Sequence, residues 1–232
     1  MTDLETARRY TPVLHFDRAE PIPLRAVGYT VFRETAVSRS FPKRTVKVLQ
    51  EAECTVEYAF YFDYDIEHMY DLEHIWITVG KDGKVLNAEG SYHGKYLNLL
   101  IPDFPGCEGE ENGHMHVFCQ PGKHAMLASG IMTKLYPGWA ECCREAGGPV
   151  LIGNPFSRAY SPTGEDLFVP TAQDDRNSVR YLRDALSFEP TLDFSTIRMP
   201  SDLLMTWDAL YEKIPGWIAE ECARLKKLFG EE

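Results

Sequence analysis

The fold is decided by two stretches of sequence, CTVEYAFYF at residues 54–62 and EHIWITV at residues 73–79. In the first, large apolar residues occupy every second position, a period of two that is typical of a β-strand. These positions are Val56, Tyr58, Phe60 and Phe62. The second stretch is separated from an apolar run at 84–90 by Lys81-Asp82-Gly83. Asp-Gly between two such runs predicts a hairpin, so the centre of the chain is expected to be an antiparallel sheet.

Outward from this centre, shorter runs extend the β pattern and the second half of the chain becomes helical. Further strands are predicted at 12–16, 26–32, 45–49 and 114–119, with a long surface loop at 101–113. Helices are predicted at 137–144, at 175–186, from a Ser201 cap through Tyr211, and from Pro215 to the C-terminus. The sequence therefore predicts a mainly β (α+β) fold, a β-sandwich with additional C-terminal helices. We expect one domain over 1–232, β-rich to about 130 and helical from about 131, with a boundary near 147–154 as the alternative.

The composition and the absence of common motifs argue against several classes of function. The formal net charge of -11 opposes binding to nucleic acid and to anionic lipid. No apolar run is long enough to span a membrane, and the first residues have no signal-peptide pattern, so a cytoplasmic location is expected. Six cysteines without a CxxC pair favour free thiols. The sequence contains no HExxH, GxSxG, GxxxxGK[ST] or GxGxxG motif, which argues against the enzyme classes that use them.

Chemistry is concentrated between the two decisive stretches, where residues 63–73 contain five carboxylates and a histidine. Side chains alternate along a strand, so Asp71 and Glu73 are expected on one side, and Asp63 and Asp65 share a side at the end of the preceding strand. His68 lies in the connection between them. Carboxylates this close repel one another unless some are protonated or a cation lies among them.

The donor set in this segment suits a hard cation. Oxygen ligands with one histidine favour Mg²⁺, Ca²⁺ or Mn²⁺, with Zn²⁺ as an alternative. His74 has the opposite parity to Glu73 and is expected to face away from the site. A solvated acidic loop at a hairpin end explains the same pattern without a metal.

The same segment resembles the central motif of the necrosis- and ethylene-inducing-peptide-like proteins. Tyr58-Ala59-Phe60-Tyr61 resembles the first strand of that motif, and residues 68–73 have its His-x-x-Asp-x-Glu spacing. The resemblance implies a β-sandwich in which a divalent ion is bound by Asp65 (or Asp63), His68, Asp71 and Glu73. Gly122-Lys123-His124-Ala125 also resembles a Gly-x-His-Ala segment of related vacuolar-sorting-like β-sandwich proteins.

The chain departs from that family at several positions. The loop before His68 is shorter, and Glu67, Tyr70 and Leu72 replace the Gly, second His and Trp of the family motif. The family's toxins are secreted whereas this chain shows no signal, so cytolysis is not carried over.

Two functions remain open. The first is a metal-dependent hydrolase or lyase in which His124 or His93 transfers the proton and Glu67 and Lys123 orient the substrate. The second is a non-catalytic module in which the ion bridges to a small-molecule, glycan or lipid-headgroup ligand. Exposed tyrosines would suit sugar stacking there: Tyr64, Tyr70, Tyr92 and Tyr96. A metal-stabilised structural domain is a third interpretation.

Three further histidines lie outside this segment. His114 and His116 share a face of their predicted strand and can bind a transition metal, although such pairs are commonly solvated. His15 lies within an apolar run and is interpreted as structural.

Overall fold

The computed structural model describes residues 1–147 and 168–230, and its centre is a long antiparallel hairpin. Strand β5 (Ala52–Tyr64) pairs with strand β6 (Met69–Gly80) in a register that places Phe60 opposite Glu73 and Phe62 opposite Asp71. The strands predicted at 54–62 and 73–79 are confirmed, and each extends further than predicted. The connection is therefore only the four residues 65–68, which brings the acidic segment to the end of the hairpin.

This hairpin is the middle of a six-stranded sheet. In spatial order the strands are β13 (Leu204–Thr206), β2 (Leu24–Phe32), β5, β6, β7 (Val85–Tyr92) and β8 (Lys95–Asn98). All neighbours are antiparallel except β13, which runs parallel to β2. The predicted turn between β6 and β7 is confirmed: Gly83 has a φ of 79°, a conformation that glycine adopts without steric cost.

A second sheet packs on the first and encloses the core. Its strands, in order, are β11 (Met126–Leu127), β10 (His114–Cys119), β1 (Val13–Phe16) and β12 (Thr196–Arg198), with β9 (Glu110–Glu111) paired to β10. Phe16 of this sheet meets Phe62 of the other edge to face, with ring centroids 6.3 Å apart. A Cβ added to Gly90 would lie 2.5 Å from the Cβ of Met126, so the sheets approach closely at that point. The fold is thus mainly β with a sandwich-like pair of sheets, as predicted.

A small ribbon and the helices complete the described structure. The ribbon is β3 (Ala36–Val37) with β4 (Thr45–Val46), which is shorter than the predicted strand at 45–49. The helices are α1 (Asp3–Arg9), α2 (Trp139–Arg144), α3 (Ala172–Tyr181, continued by a wider turn at Leu182–Leu186) and α4 (Trp207–Leu228). None of these described helices combines the length and apolar character needed to cross a bilayer. The alternative domain boundary at 147–154 lies almost wholly outside the described residues, and the single domain stays a prediction.

The prediction of two separate C-terminal helices is wrong. Residues 204–206 form the edge strand β13, and α4 begins at Trp207, where the Thr206 hydroxyl accepts a hydrogen bond from the backbone N–H of Ala209. Pro215 lies inside this continuous helix. The apolar face of α4 packs on β2, where Leu210 reaches Gly28, and this packing outweighs the backbone hydrogen bond that the proline removes.

Candidate functional site

A polar pocket of about 410 Å³ opens at the end of the β5–β6 hairpin. Its lining residues are Ser40, Phe41, Asp65, His68, Asp71, Leu72, Glu73, His74, Ser91, His93, Gly94 and Lys123. Four of the five predicted metal ligands are among them, together with His93 from the predicted catalytic pair. The structure therefore brings most of the candidate residues to one cavity, and their contacts indicate what that cavity can bind.

Asp71 and Glu73 lie on the face of β6 that is turned toward the second sheet. Because they are two residues apart on one strand, their side chains leave the same face. The Ser91 hydroxyl donates a hydrogen bond to Glu73 Oε2. Burial, reinforced by the neighbouring Asp71 carboxylate, raises the pKa of Glu73 well above its usual range. This carboxyl is therefore poorly compensated by the chain around it.

Asp65 begins the loop that joins β5 to β6, and its carboxylate organises that loop. Oδ1 accepts hydrogen bonds from the backbone N–H groups of Glu67 (2.6 Å) and His68 (2.7 Å). Oδ2 accepts a hydrogen bond of 2.7 Å from Lys123 Nζ. Burial acts to raise the pKa of Asp65, but the adjacent His68 and Lys123 outweigh it and hold the pKa below its usual value.

Lys123 is an internal cation beside the pocket. Its Nζ also donates to Glu67 Oε2 at 2.6 Å, and its side chain is only 8% exposed. Burial acts to lower the pKa of Lys123, yet Asp65 and Glu67 raise it, so the ammonium stays charged. Glu67 and Lys123, predicted to orient a substrate, are thus bonded to each other.

His124 lies behind the pocket and is fully buried. Its ring stacks on Phe62 with centroids 3.9 Å apart, Nδ1 donates to Asp71 Oδ2 at 3.2 Å, and Nε2 lies 3.6 Å from Glu20 Oε1. Burial acts to lower the pKa of His124, but Asp71 and Glu20 prevail and raise it to about 10. An imidazole that is already protonated at neutral pH is unsuited to the general-base role predicted from sequence. Its contacts instead make it a positioning cation for Asp71.

His93 differs from His124 in charge. Its Nε2 lies 2.9 Å from Gln120 Oε1 and its ring stacks on Tyr136 with centroids 4.6 Å apart. Burial lowers the pKa of His93, so the ring is neutral at neutral pH. Assigning the proton to Nε2, which faces an amide oxygen, leaves the Nδ1 lone pair available to accept a proton.

The backbone around both histidines is unusual. His93 and His124 have φ values of 46° and 54°, and each stands next to or near a glycine of positive φ, Gly94 and Gly122. Residues other than glycine incur a steric cost at positive φ, and such strain persists where surrounding contacts fix the conformation. At Gly122 the fixing contact is its N–H, which donates to Glu20 Oε2 at 2.7 Å.

Asp63, a predicted ligand, points elsewhere, and His74 faces away from the ligands as expected. Asp63 accepts a 2.7 Å hydrogen bond from Arg25 and does not line the pocket. The prediction that Asp63 and Asp65 share a side fails because β5 ends at Tyr64 and the loop rotates Asp65 away. His74 borders the pocket, but its Nε2 lies 3.0 Å from the Ser40 hydroxyl and its ring stacks on the Trp76 ring.

The predicted aromatic surface is also corrected in part. Tyr64 and Tyr70 are buried, with 5% and 1% of their surface exposed, and cannot stack on a sugar. Tyr92 is half-buried, and the exposed Tyr96 packs on the guanidinium of Arg44.

The metal-binding capacity of the pocket rests on donor chemistry rather than on preformed coordination. His68 Nε2 lies 3.4 Å from Asp65 Oδ2, while His68 Nδ1 bonds to the Tyr70 carbonyl at 2.9 Å. Among the described residues, the group of three ligand side chains whose atoms all lie within 4.8 Å of one another is a different one, His15, Glu108 and His116. The four pocket candidates share a cavity and have the oxygen-rich donor set of a hard cation, but Lys123 and His124 already contact two of the carboxylates.

Comparison with known proteins finds a remote likeness among solved structures. No protein-family model and no curated protein matches the chain. A structure of NLPPya in complex with glucosamine matches 54% of this chain and 66% of that chain, at 13% identity and a TM-score of 0.35. A complex of NLPPya with mannosamine matches at 14% identity, with a TM-score of 0.34 over 54% and 68% of the two chains. A structure described as "Toxin fold as basis for microbial attack and plant defense" matches at 15% identity, with a TM-score of 0.33 over the same shares.

The chain therefore bears a remote resemblance to the necrosis- and ethylene-inducing-like proteins, as the motif at residues 68–73 predicted. The matched part spans about two thirds of each relative. A likeness this distant gives no information about activity. Glucosamine and mannosamine are ligands of NLPPya in those structures.

Proposed function

We propose that the pocket is a cation-dependent binding site, in which a divalent cation held by Asp71 and Glu73 binds a small polyhydroxylated ligand such as a sugar. The observation that carries this proposal is the local excess of acid. Four carboxyl groups stand at or beside the pocket, Asp65, Glu67, Asp71 and Glu73, against two cations, Lys123 and His124. Carboxylates gathered in this way favour the entry of a further positive charge.

The unequal sharing of the two internal cations selects the acids that would hold the ion. Lys123 is hydrogen-bonded to Asp65 and Glu67, and His124 is hydrogen-bonded to Asp71. Within the described residues, the hydrogen bond to Glu73 comes from the neutral Ser91 hydroxyl. Glu73 is therefore the first expected ligand, and Asp71, on the same face of β6, and His68, which lines the same pocket, are the further ones.

Residues behind these ligands would keep them in position. Ser91 holds Glu73, and His124 holds Asp71 from the buried side, which is the arrangement that supports ligands in metal sites. A bound divalent ion would supply a positive charge to ligand hydroxyl oxygens. The volume of about 410 Å³ is within the range of small-molecule sites.

Calorimetric titration with Ca²⁺, Mg²⁺ and Mn²⁺, followed by glucosamine and mannosamine as first probes, tests this proposal. Glu73→Gln is expected to lower cation affinity at least tenfold, about 1.4 kcal/mol or more, and to abolish cation-dependent sugar binding. Glu53→Gln is the matched control, since it removes an exposed acid from the partner strand β5, at the far end of the same hairpin. Equal cation affinity in Glu73→Gln and the natural protein would contradict the proposal.

A second candidate function is a metal-dependent hydrolase, which the neutral, pocket-lining His93 favours. In that case His93 Nδ1 would take the proton from an attacking water polarised by the cation. Screens of esterase, phosphatase and glycosidase substrates test it. Turnover that disappears in His93→Gln while cation binding persists would support hydrolysis, and turnover unaffected by that change would exclude His93 as the base.

A further inference from the structure

A second group of ligand atoms lies on the outer face of the smaller sheet. His15 of β1 and His116 of β10 are diagonal neighbours on one face, because β1 and β10 are parallel and Val13 pairs with His116. The loop at 101–113 brings Glu108 over them. His15 is 3% exposed, whereas the Glu108 side chain is 48% exposed.

Three atoms of this group converge on one point. His15 Nε2 lies 2.9 Å from His116 Nδ1, His116 Nδ1 lies 2.8 Å from Glu108 Oε2, and His15 Nε2 lies 3.5 Å from the same oxygen. Nitrogen and oxygen ligands roughly 2.0–2.2 Å from a tetrahedral zinc ion lie roughly 3.3 Å from one another. The observed triangle has about that size, so an ion fits it with only small movements of the side chains.

In each histidine, the ring nitrogen that faces away from this point has a partner that favours a proton there. The nitrogen that faces the point, His15 Nε2 or His116 Nδ1, then keeps its lone pair. His15 also forms a hydrogen bond with the backbone of Phe194, so a proton on its other nitrogen leaves Nε2 unprotonated. His116 Nε2 lies 3.7 Å from Glu111 Oε2, a charge contact on the side of the ring opposite Nδ1. Backbone carbonyl partners such as that of His15 orient the histidine ligands of metal sites.

A cavity adjoins the group. Glu108 lines a space of about 490 Å³ together with Phe118, Phe194, Ser129 and Lys134. A metal bound by the three side chains would therefore have room for a fourth ligand from this side. Three protein ligands with an open position is the pattern of zinc sites that bind an exogenous water or substrate.

We propose that His15, His116 and Glu108 form a transition-metal site, with zinc as the favoured ion and its fourth position open to the adjoining cavity. This site is separate from the polar pocket and does not depend on the function proposed there. Two imidazoles and a carboxylate suit zinc, whereas the oxygen-rich pocket suits a harder ion. The competing explanation is a proton shared by the two imidazoles, which the experiment must exclude.

The test uses Glu73→Gln protein, in which the polar pocket is weakened, titrated with Zn²⁺ in calorimetry and with Co²⁺ in visible absorption. We expect one equivalent of either ion and the intense absorption of four-coordinate cobalt. His116→Gln should lower affinity at least a hundredfold and remove the absorption. Glu108→Gln, at an exposed loop position that keeps the core intact, should lower affinity at least tenfold.

His114→Gln is the matched control, because His114 lies on the same strand but bonds to the Thr11 carbonyl outside the group. It should bind both ions as the parent does. Absence of stoichiometric binding in the parent, or unchanged affinity in Glu108→Gln and His116→Gln, would overturn the proposal and leave a proton-sharing histidine pair.

Discussion

The polar pocket and the His15–His116–Glu108 group bring ligand residues together in opposite ways. In the pocket, the candidate ligands come from one short stretch of sequence, yet two of their carboxylates are already bonded to Lys123 and His124. In the second group the histidines are 101 residues apart in sequence, yet their nitrogens lie 2.9 Å apart. Acids that are close in sequence therefore do not by themselves form a coordination site. A coordination site requires the fold to bring the ligand atoms together in space.

The internal cations explain the difference. A buried carboxylate next to an ammonium is electrostatically satisfied and has little need of a metal, whereas facing imidazole lone pairs need a proton or a metal between them. Changing the cations of the pocket should therefore move it toward the behaviour of the second group.

Lys123→Met should have the largest effect. Removing the ammonium leaves Asp65 and Glu67 without their cation at a buried position, which is expected to cost about 3–5 kcal/mol of unfolding free energy. The same change should raise the affinity of the pocket for Ca²⁺, so that added Ca²⁺ restores part of the loss. Urea unfolding with and without Ca²⁺ measures both, with the exposed Lys95→Met as control. Loss of stability with no rescue by Ca²⁺ would show that the pocket cannot exchange its own cation for a metal.

Gly122→Ala should follow. A Cβ here would lie 2.5 Å from Ile66 Cγ2, and φ is +67°, so both crowding and backbone strain oppose the change. We expect a loss of about 2–4 kcal/mol in thermal or urea unfolding. Gly94→Ala has a similar φ of +75° but no atom within 4 Å, and should cost only about 1–2 kcal/mol. Equal losses would mean that crowding against Ile66 does not hold the Lys123–His124 segment in place.

Ser91→Ala tests the support of Glu73. The Ser91 hydroxyl donates to Glu73 and accepts from the His74 backbone N–H at 2.6 Å, so its removal leaves a buried donor without this partner. We expect a stability loss of about 1–3 kcal/mol and a several-fold weaker affinity for Ca²⁺. Thr78→Val, which removes a buried hydroxyl from strand β6 away from the pocket, should lose stability without changing cation affinity. Weaker binding in both variants would point to a general effect of destabilisation.

Much of this architecture could be predicted where the signal was local. The period of two fixed the central hairpin, and it also placed Asp71 and Glu73 on one face. The same rule failed at Asp65, because alternation ends with the strand and no local signal marks the rotation of the loop. It also could not foresee that Arg25 from the neighbouring strand would pair with Asp63.

Long-range contacts account for the remaining differences. Lys123 reaches Asp65 across 58 residues of sequence, and the charge of His124 depends on Glu20 as well as Asp71. His15 appeared structural because the apolar run around it gives no indication of which strand will pair with it. Pairing with His116 is set by the parallel β1–β10 register, which sequence alone does not display.

Glu57→Gln should have the smallest effect, and it contrasts an enclosed acid with the acids of the pocket. Glu57 is buried, with its two oxygens bonded to the Ser40 hydroxyl (2.7 Å) and the Trp76 indole N–H (2.6 Å). Burial raises the pKa of Glu57 above its usual value, so the folded state binds the proton more tightly than the unfolded chain. Its contribution to stability is therefore greatest below the unfolded pKa of 4.5 and declines as pH rises through the folded value.

Glutamine keeps an oxygen acceptor and has no proton to lose, so the variant should show a flatter stability profile above pH 4.5. Urea unfolding across this pH range measures the difference, and cation affinity at the pocket should be unchanged. A profile parallel to that of the natural protein would mean that Glu57 ionises as readily in the folded state as in the unfolded chain. Enclosure by hydrogen-bond donors would then compensate a buried carboxylate fully, and the pocket acids would differ from Glu57 only in facing an open cavity.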